Sequence, residues 1–206
     1  MNLLQFFCLT LALILFHQGA CAIDHPPIFM EQLQPMYRPY SLSNEQIKHF
    51  EEYGYLVVPK FMKDAEVAIL NDQSADLINE IKNYLTSNAH LSTNSRFEYK
   101  GSSVLVKNTK KDVPVIKLIS WAGAVKPQFL EIGRSLTVLV PIAQLLGSYE
   151  MDHIINQIHP KEKGDEIAFD IHQDYQNRIQ FDPEWKDING RGSFVQLLIA
   201  IDMRTL

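Results

Sequence analysis

Helical spacing and strand spacing occupy different stretches of this chain, and that separation constrains the fold more than any other feature of its sequence. Ser43-Asn44-Glu45-Gln46 has the form of a capping box, with Ser43 as N-cap and Gln46 three residues on. Ile47 and Phe50 then share one helical face, and Gly54 ends the helix as a left-handed cap. Tyr55 to Pro59 reads as a short β-branched strand. Val67, Leu70, Ala75, Leu77, Ile78 and Ile81 recur near helical spacing, which predicts a second helix over Lys63 to Asn88. His90 to Lys111 is polar and loop-like, with one strand candidate at Ser103 to Lys107. Pro127 to Leu146 reads as a third helix that Pro141 kinks or splits and Gly147 stops. Beyond Gly147 the period changes. Glu150 to His159, Ile167 to His172 and the apolar run Ser193 to Ile201 read as strands, with a loop over Arg178 to Arg191. Helices followed by strands predict an α+β fold.

The first residues are set apart by composition. Leu3 to Phe16 is almost continuously apolar, too short to span a bilayer with ease, and Ala20-Cys21-Ala22 follows as a small-x-small pattern. This matches a secretory signal peptide over residues 1–22, cut after Ala22, although its start carries no Lys or Arg. An uncleaved anchor or an apolar first helix are the alternatives. Residues 23–40, with Pro26, Pro27, Pro35 and Pro39, read as an extended leader, and 41–206 as the folded domain. Cys8 and Cys21 are the chain's two cysteines. A chain cut after Ala22 would therefore form no disulfide and would depend on its apolar core. A secreted location and no integral membrane association after cleavage are the expectations. The net charge of −5 and the lack of any basic block longer than Lys110-Lys111 exclude nucleic acid as an expected partner.

The segment richest in chemistry is Ile171-His172-Gln173-Asp174-Tyr175. On a strand, His172 and Asp174 at i and i+2 point to one side, where an imidazole and a carboxylate can chelate one divalent ion. With a second histidine they would complete the facial triad of non-haem Fe(II) oxygenases. By themselves these residues read more readily as a surface histidine and a turn aspartate. On the strand before them, His153, Ile155, Gln157 and His159 would share a face, as a pocket wall or a solvated edge.

In order along the chain, several segments resemble the phytanoyl-CoA dioxygenase family of Fe(II)/2-oxoglutarate-dependent oxygenases. Leu42 to Ile47 leading into Phe50-Glu51-Glu52-Tyr53-Gly54-Tyr55-Leu56-Val57-Val58-Pro59 is similar to the family's opening helix and strand. Leu145-Leu146-Gly147 resembles the end of the helix before the barrel, His172-Gln173-Asp174 the iron-binding HxD, and Ser193 to Asp202 the next core strand. The resemblance implies a double-stranded β-helix (jelly-roll, cupin-like) core with helices packed on one side. It implies Fe(II) held by His172 and Asp174, 2-oxoglutarate as co-substrate with Gln157 as a polar contact, and a small aliphatic or lipid-like substrate. Gln173, Tyr175 and Arg178, with Asn177 and Trp185, follow the HxD as candidates for the substrate mouth or as a polar surface loop.

The family also uses a distal histidine and, shortly after it, an arginine that pairs with 2-oxoglutarate. No histidine follows His172 here, and the sequence stops at Asp202-Met203-Arg204-Thr205-Leu206. The expectation is a domain lacking the second half of the barrel, with weak iron binding and little or no oxygenase activity. A non-catalytic secreted binding protein and a cupin-like metal enzyme using His153 or His159 are the competing readings. Substrate identity and oligomeric state are open.

Overall fold

The computed structural model describes residues 5–6, 8–14, 39–162 and 194–201. In chain order these form strands β1 (Gln5–Phe6) and β2 (Cys8–Ile14), helices α1 (Asn44–Tyr53) and α2 (Asp64–Ser87), strands β3 (Arg96–Tyr99), β4 (Ser102–Asn108) and β5 (Pro114–Ser120), helices α3 (Gln128–Gly133) and α4 (Leu136–Leu146), and strands β6 (Asp152–Ile158), β7 (Lys161–Glu162) and β8 (Phe194–Ala200). The fold is α+β. Six strands form one sheet in the order β3-β4-β5-β6-β2-β8, antiparallel at every step, and β1 pairs separately with β7.

The helix ends are set by local chemistry. The Ser43 hydroxyl accepts from the Gln46 amide (3.3 Å) while the Gln46 side chain accepts from the Ser43 amide (2.9 Å). Two otherwise orphaned N–H groups of α1 are thereby satisfied. Gly54 (φ 77°) and Gly147 (φ 74°) close α1 and α4 in the left-handed region. Gln144 of α4 holds the backbone just before α1, accepting from the Leu42 amide (2.8 Å) and donating to its carbonyl (3.2 Å).

One core joins helices and sheet. The α2 stripe Leu70, Leu77, Ile78, Ile81 and Leu85 is buried with Phe129 and Ile132 of α3 and with Val138, Ile142 and Leu146 of α4. From the sheet, Val104, Val106, Ile116, Ile119, Ile158, Val195 and Ile199 enter the same cluster. A β-bulge makes this possible in β5. The register passes from Leu105↔Leu118 to Val106↔Ile116, so Lys117 is an extra residue. Ile116 and Ile119, three apart, both face the helices as a result.

Four elements differ from the sequence reading. Tyr55 to Val58 joins no ladder among the described residues, Pro59 lies in a turn, and Val57 is 72% exposed. A β-branched run becomes a strand only where a partner lies beside it. His90 to Lys111 is largely a hairpin, β3–β4, closed by Lys100 (φ 48°) and Gly101 (φ 86°), the two positive φ angles of a type I′ turn. Lys100 accepts that backbone with its ammonium on Glu80 (2.9 Å). The third helical stretch divides at Ser135, which is extended (φ −72°, ψ 151°), while Pro141 lies inside α4. Finally, β3 to β5 fall between α2 and α3, so the strands are not confined to the second half. The fold class survives because neighbouring strands pair antiparallel whatever their order in the chain.

Candidate functional site

The sheet has two faces of different character. Register pairing places Glu98, Ser103, Ser120 and Gln157 opposite one another in a single row across β3, β4, β5 and β6. These residues alternate with Val104, Ile119 and Ile158 of the core, so the row lies on the face turned away from the helices. Gln157 is half-buried and donates from Nε2 to the Ser120 hydroxyl at 3.3 Å. Ser120 is itself buried, and Arg96 donates to the Ser103 hydroxyl at 3.0 Å. Leu105 and Leu118 form the adjoining apolar row, paired across β4 and β5. Hydroxyls, an amide and a guanidinium beside an apolar strip can orient a small polar molecule with an aliphatic part.

The end of this row is braced from the helix side. Trp121 is left-handed (φ 59°), an uncommon state for a bulky residue, and two bonds hold it there. Its amide donates to the Asn156 carbonyl (2.7 Å), and its carbonyl accepts from the Ser102 hydroxyl (2.8 Å). Asn156 is fully buried, and its Oδ1 accepts from the Gly123 amide at 2.8 Å. A Cβ on Gly123 would lie 2.4 Å from Leu130 Cγ, so the short turn over Ala122–Ala124 can pack against α3 only with glycine there.

His153 does not share the face of Gln157, contrary to the strict alternation expected from the sequence. The pairing steps from Ala12↔Ile155 to Leu13↔His153, which makes Ile154 an extra residue and reverses the alternation. His153 therefore lies on the helix side, 6.3 Å from the Trp121 ring. Its Nε2 donates to the Ile155 carbonyl (3.1 Å), spanning the bulge, and its Nδ1 is buried without a partner. Burial, joined by the charge of Arg134, holds its pKa below the usual histidine range. His159 follows just after the end of β6 and is half-buried.

His172, Gln173, Asp174, Tyr175, Asn177, Arg178 and Trp185 lie outside the described residues. Of the site residues that the resemblance implies, Gln157 alone lies among the described residues. Among the described residues no group of three His, Cys, Asp or Glu side chains is arranged to hold a metal ion, and no helix is long and apolar enough to cross a membrane. Sequence reasoning missed Ser103, Ser120 and Asn156. The visible signal for Ser120 and Asn156 was a polar residue within an otherwise apolar strand, Ile-Ser and Ile-Ile-Asn.

A second polar cluster ties elements together away from this face. Lys126 pairs with Asp76 and with Glu80 (2.7 Å), and Glu80 also accepts from Lys100 (2.9 Å) and the Tyr99 hydroxyl (3.1 Å). The two ammonium groups, Lys126 first, depress the Glu80 pKa to about 2.

Comparison with family models, with curated proteins and with solved structures finds no match to this chain.

Proposed function

We propose that this chain carries the scaffold of an Fe(II)/2-oxoglutarate-dependent oxygenase of the phytanoyl-CoA dioxygenase type, its sheet forming part of a double-stranded β-helix. The observation that carries the reading is the division of faces: helices and core on one side, and on the other a row ending in the Ser120–Gln157 bond. In a closed double-stranded β-helix the ligand lies on the face away from the packed helices. Gln157 lies on that face, which supports reading it as a contact to 2-oxoglutarate.

His172 and Asp174 are the residues that would hold Fe(II), and a bound iron would supply oxygen activation for hydroxylating an aliphatic carbon. Gln157 and Ser120 would position the co-substrate by hydrogen bonding. The apolar Leu105–Leu118 pair would exclude water beside it. His172 and Asp174 are two of the three protein ligands such a site uses, and a non-catalytic binding protein on the same scaffold is the second reading. For a third ligand within this chain, His159 fits better than His153, which the bulge carries to the helix side.

The test is anaerobic titration with Mn(II) or Fe(II), paired with an assay of succinate formed from 2-oxoglutarate. Binding that falls in His172→Ala and in Asp174→Ala, but not in His153→Ala, supports the metal site. Succinate release would establish the oxygenase, and its absence with metal binding intact selects the non-catalytic reading. Metal binding unaffected by both substitutions overturns the proposal.

A further inference from the structure

Helix α1 buries none of its residues and touches the core chiefly through the partly buried Phe50. Glu45, His49 and Tyr53 recur every four residues, so they form one stripe on a different face of the helix. Gly54 then reverses the chain in the left-handed region (φ 77°), which brings Tyr55, Leu56 and Val57 back beside that stripe. The result is an open cleft of about 450 Å³. Glu45, Gln46 and His49 form one wall, and Tyr55, Leu56 and Val57 form the other.

Three rings meet at this cleft. His49 is tilted against Tyr53 with 4.7 Å between centroids, and Tyr55 stands edge-on to His49 at 5.3 Å. The contacts order the rings, yet Tyr53 and Tyr55 each stay 58% exposed. Aromatic faces carry partial negative charge and attract cations. The charge on the helix has the same sense: α1 carries Glu45, Glu51 and Glu52 against Lys48 alone. Glu45, the charged residue of the cleft itself, is fully exposed. The Ser43 hydroxyl, and after it the backbone amide of Glu45, hold its carboxyl below the usual range, so it is ionised at neutral pH. Single exposed apolar side chains are ordinary on a protein surface. A carboxylate on the same helical stripe as two aromatic rings, with Leu56 and Val57 facing it, is a combination with a definite ligand chemistry: positive charge attached to an aliphatic group.

We propose that the cleft between α1 and Tyr55–Val57 binds an alkylated ammonium group, its charge against the tyrosine rings and the Glu45 carboxylate and its alkyl part against Leu56 and Val57. Such a group is weakly hydrated, so it loses little solvation on meeting an aromatic face, and no hydrogen-bond donor has to be matched. The same chemistry is offered by a free quaternary amine and by a methylated lysine side chain of another protein. The inference rests on α1 and the turn after it, and is independent of the oxygenase reading.

The experiment titrates the full chain with choline and follows the tyrosine ring protons by NMR. The neutral isostere 3,3-dimethylbutan-1-ol is the control, and N-acetyl-trimethyllysine methylamide is the second probe. Choline should shift the ring signals saturably, with a Kd on the order of 1 mM because the contacts are solvent-exposed, and the neutral alcohol should bind at least about threefold more weakly. Tyr55→Leu and Glu45→Gln should each weaken choline about threefold, whereas Tyr55→Phe should match the parent because the ring and not the hydroxyl makes the contact. These side chains are exposed, so the thermal midpoints should stay near that of the parent, which separates lost binding from lost folding. Tighter binding of the lysine derivative would assign the site to a protein side chain, and tighter binding of choline to a free amine; either supports the shared chemistry. The proposal is overturned if neither cation shifts the rings up to about 100 mM. It is equally overturned if the neutral alcohol binds as well as choline, or if Tyr55→Leu leaves the choline Kd unchanged.

Discussion

Replacing Glu80 by Gln should destabilise the protein at neutral pH and leave it nearly unaffected in strong acid. Glu80 accepts hydrogen bonds from Lys126, Lys100 and Tyr99, and so joins α2 to the β3–β4 hairpin and to the segment before α3. Its pKa falls from 4.5 to about 2. At about 1.4 kcal/mol per pKa unit, that depression sets an upper bound of about 3 kcal/mol. The carboxylate keeps 30% of its exposure, so solvent screening reduces the expected contribution to about 1–2 kcal/mol. The sign follows from linkage. A carboxyl with a depressed folded pKa contributes fully above its unfolded value near 4.5, and loses that contribution as pH falls toward 2. Urea unfolding of wild type and Glu80→Gln at pH 7 should therefore differ by about 1–2 kcal/mol, or about 3–6 °C in a thermal melt. By pH 3 the difference should drop below about half of that value. A difference that is the same at pH 7 and pH 3 would refute the electrostatic origin, and no difference at either pH would refute the structural role of the cluster.

Two further substitutions test the bracing around Trp121. Gly123→Ala should cost about 1–3 kcal/mol in chemical denaturation, because the new methyl meets Leu130 Cγ at 2.4 Å and displaces the amide that Asn156 accepts; an unchanged midpoint would show that the turn can move away freely. His153, with a folded pKa held below its ordinary 6.5, resists protonation where the unfolded chain takes it up, so stability should fall as pH drops below about 6.5. His153→Gln should flatten that part of the stability profile between pH 7 and pH 5, and an unaltered slope would place the titrating group elsewhere.

The parts of the fold legible in the sequence are those whose chemistry closes within a few residues. Ser43 and Gln46 cap each other, Gly54 and Gly147 take a backbone state that costs them little, and the α2 stripe repeats at helical spacing. All of these stand in the structure as read, as do β6 and β8, whose apolar content needs no knowledge of their partners. Elements that depend on a distant partner were misread. Of the β3–β4 hairpin the sequence shows only the strand at Ser103 to Lys107, and β3 reads as loop because its outward residues are polar; Tyr55 to Pro59 reads as a strand although it joins no ladder among the described residues. Pro141 looked like a break, but packing of Val138, Ile142 and Leu146 into the core keeps α4 continuous across it.

For the candidate site, the sequence by itself determined the residue types: a His-x-Asp pair, a glutamine one strand earlier, and apolar segments able to bury one face of a sheet. It could not determine which face each residue occupies. One extra residue at Ile154 sends His153 to the helix side, and one at Lys117 turns both Ile116 and Ile119 into the core. The alignment of Ser103, Ser120 and Gln157 into one row exists only once three strands are in register. Side-chain alternation has a period of two, so a single bulge inverts it, and the placement of a bulge is set by hydrogen bonds to strands far away in the chain.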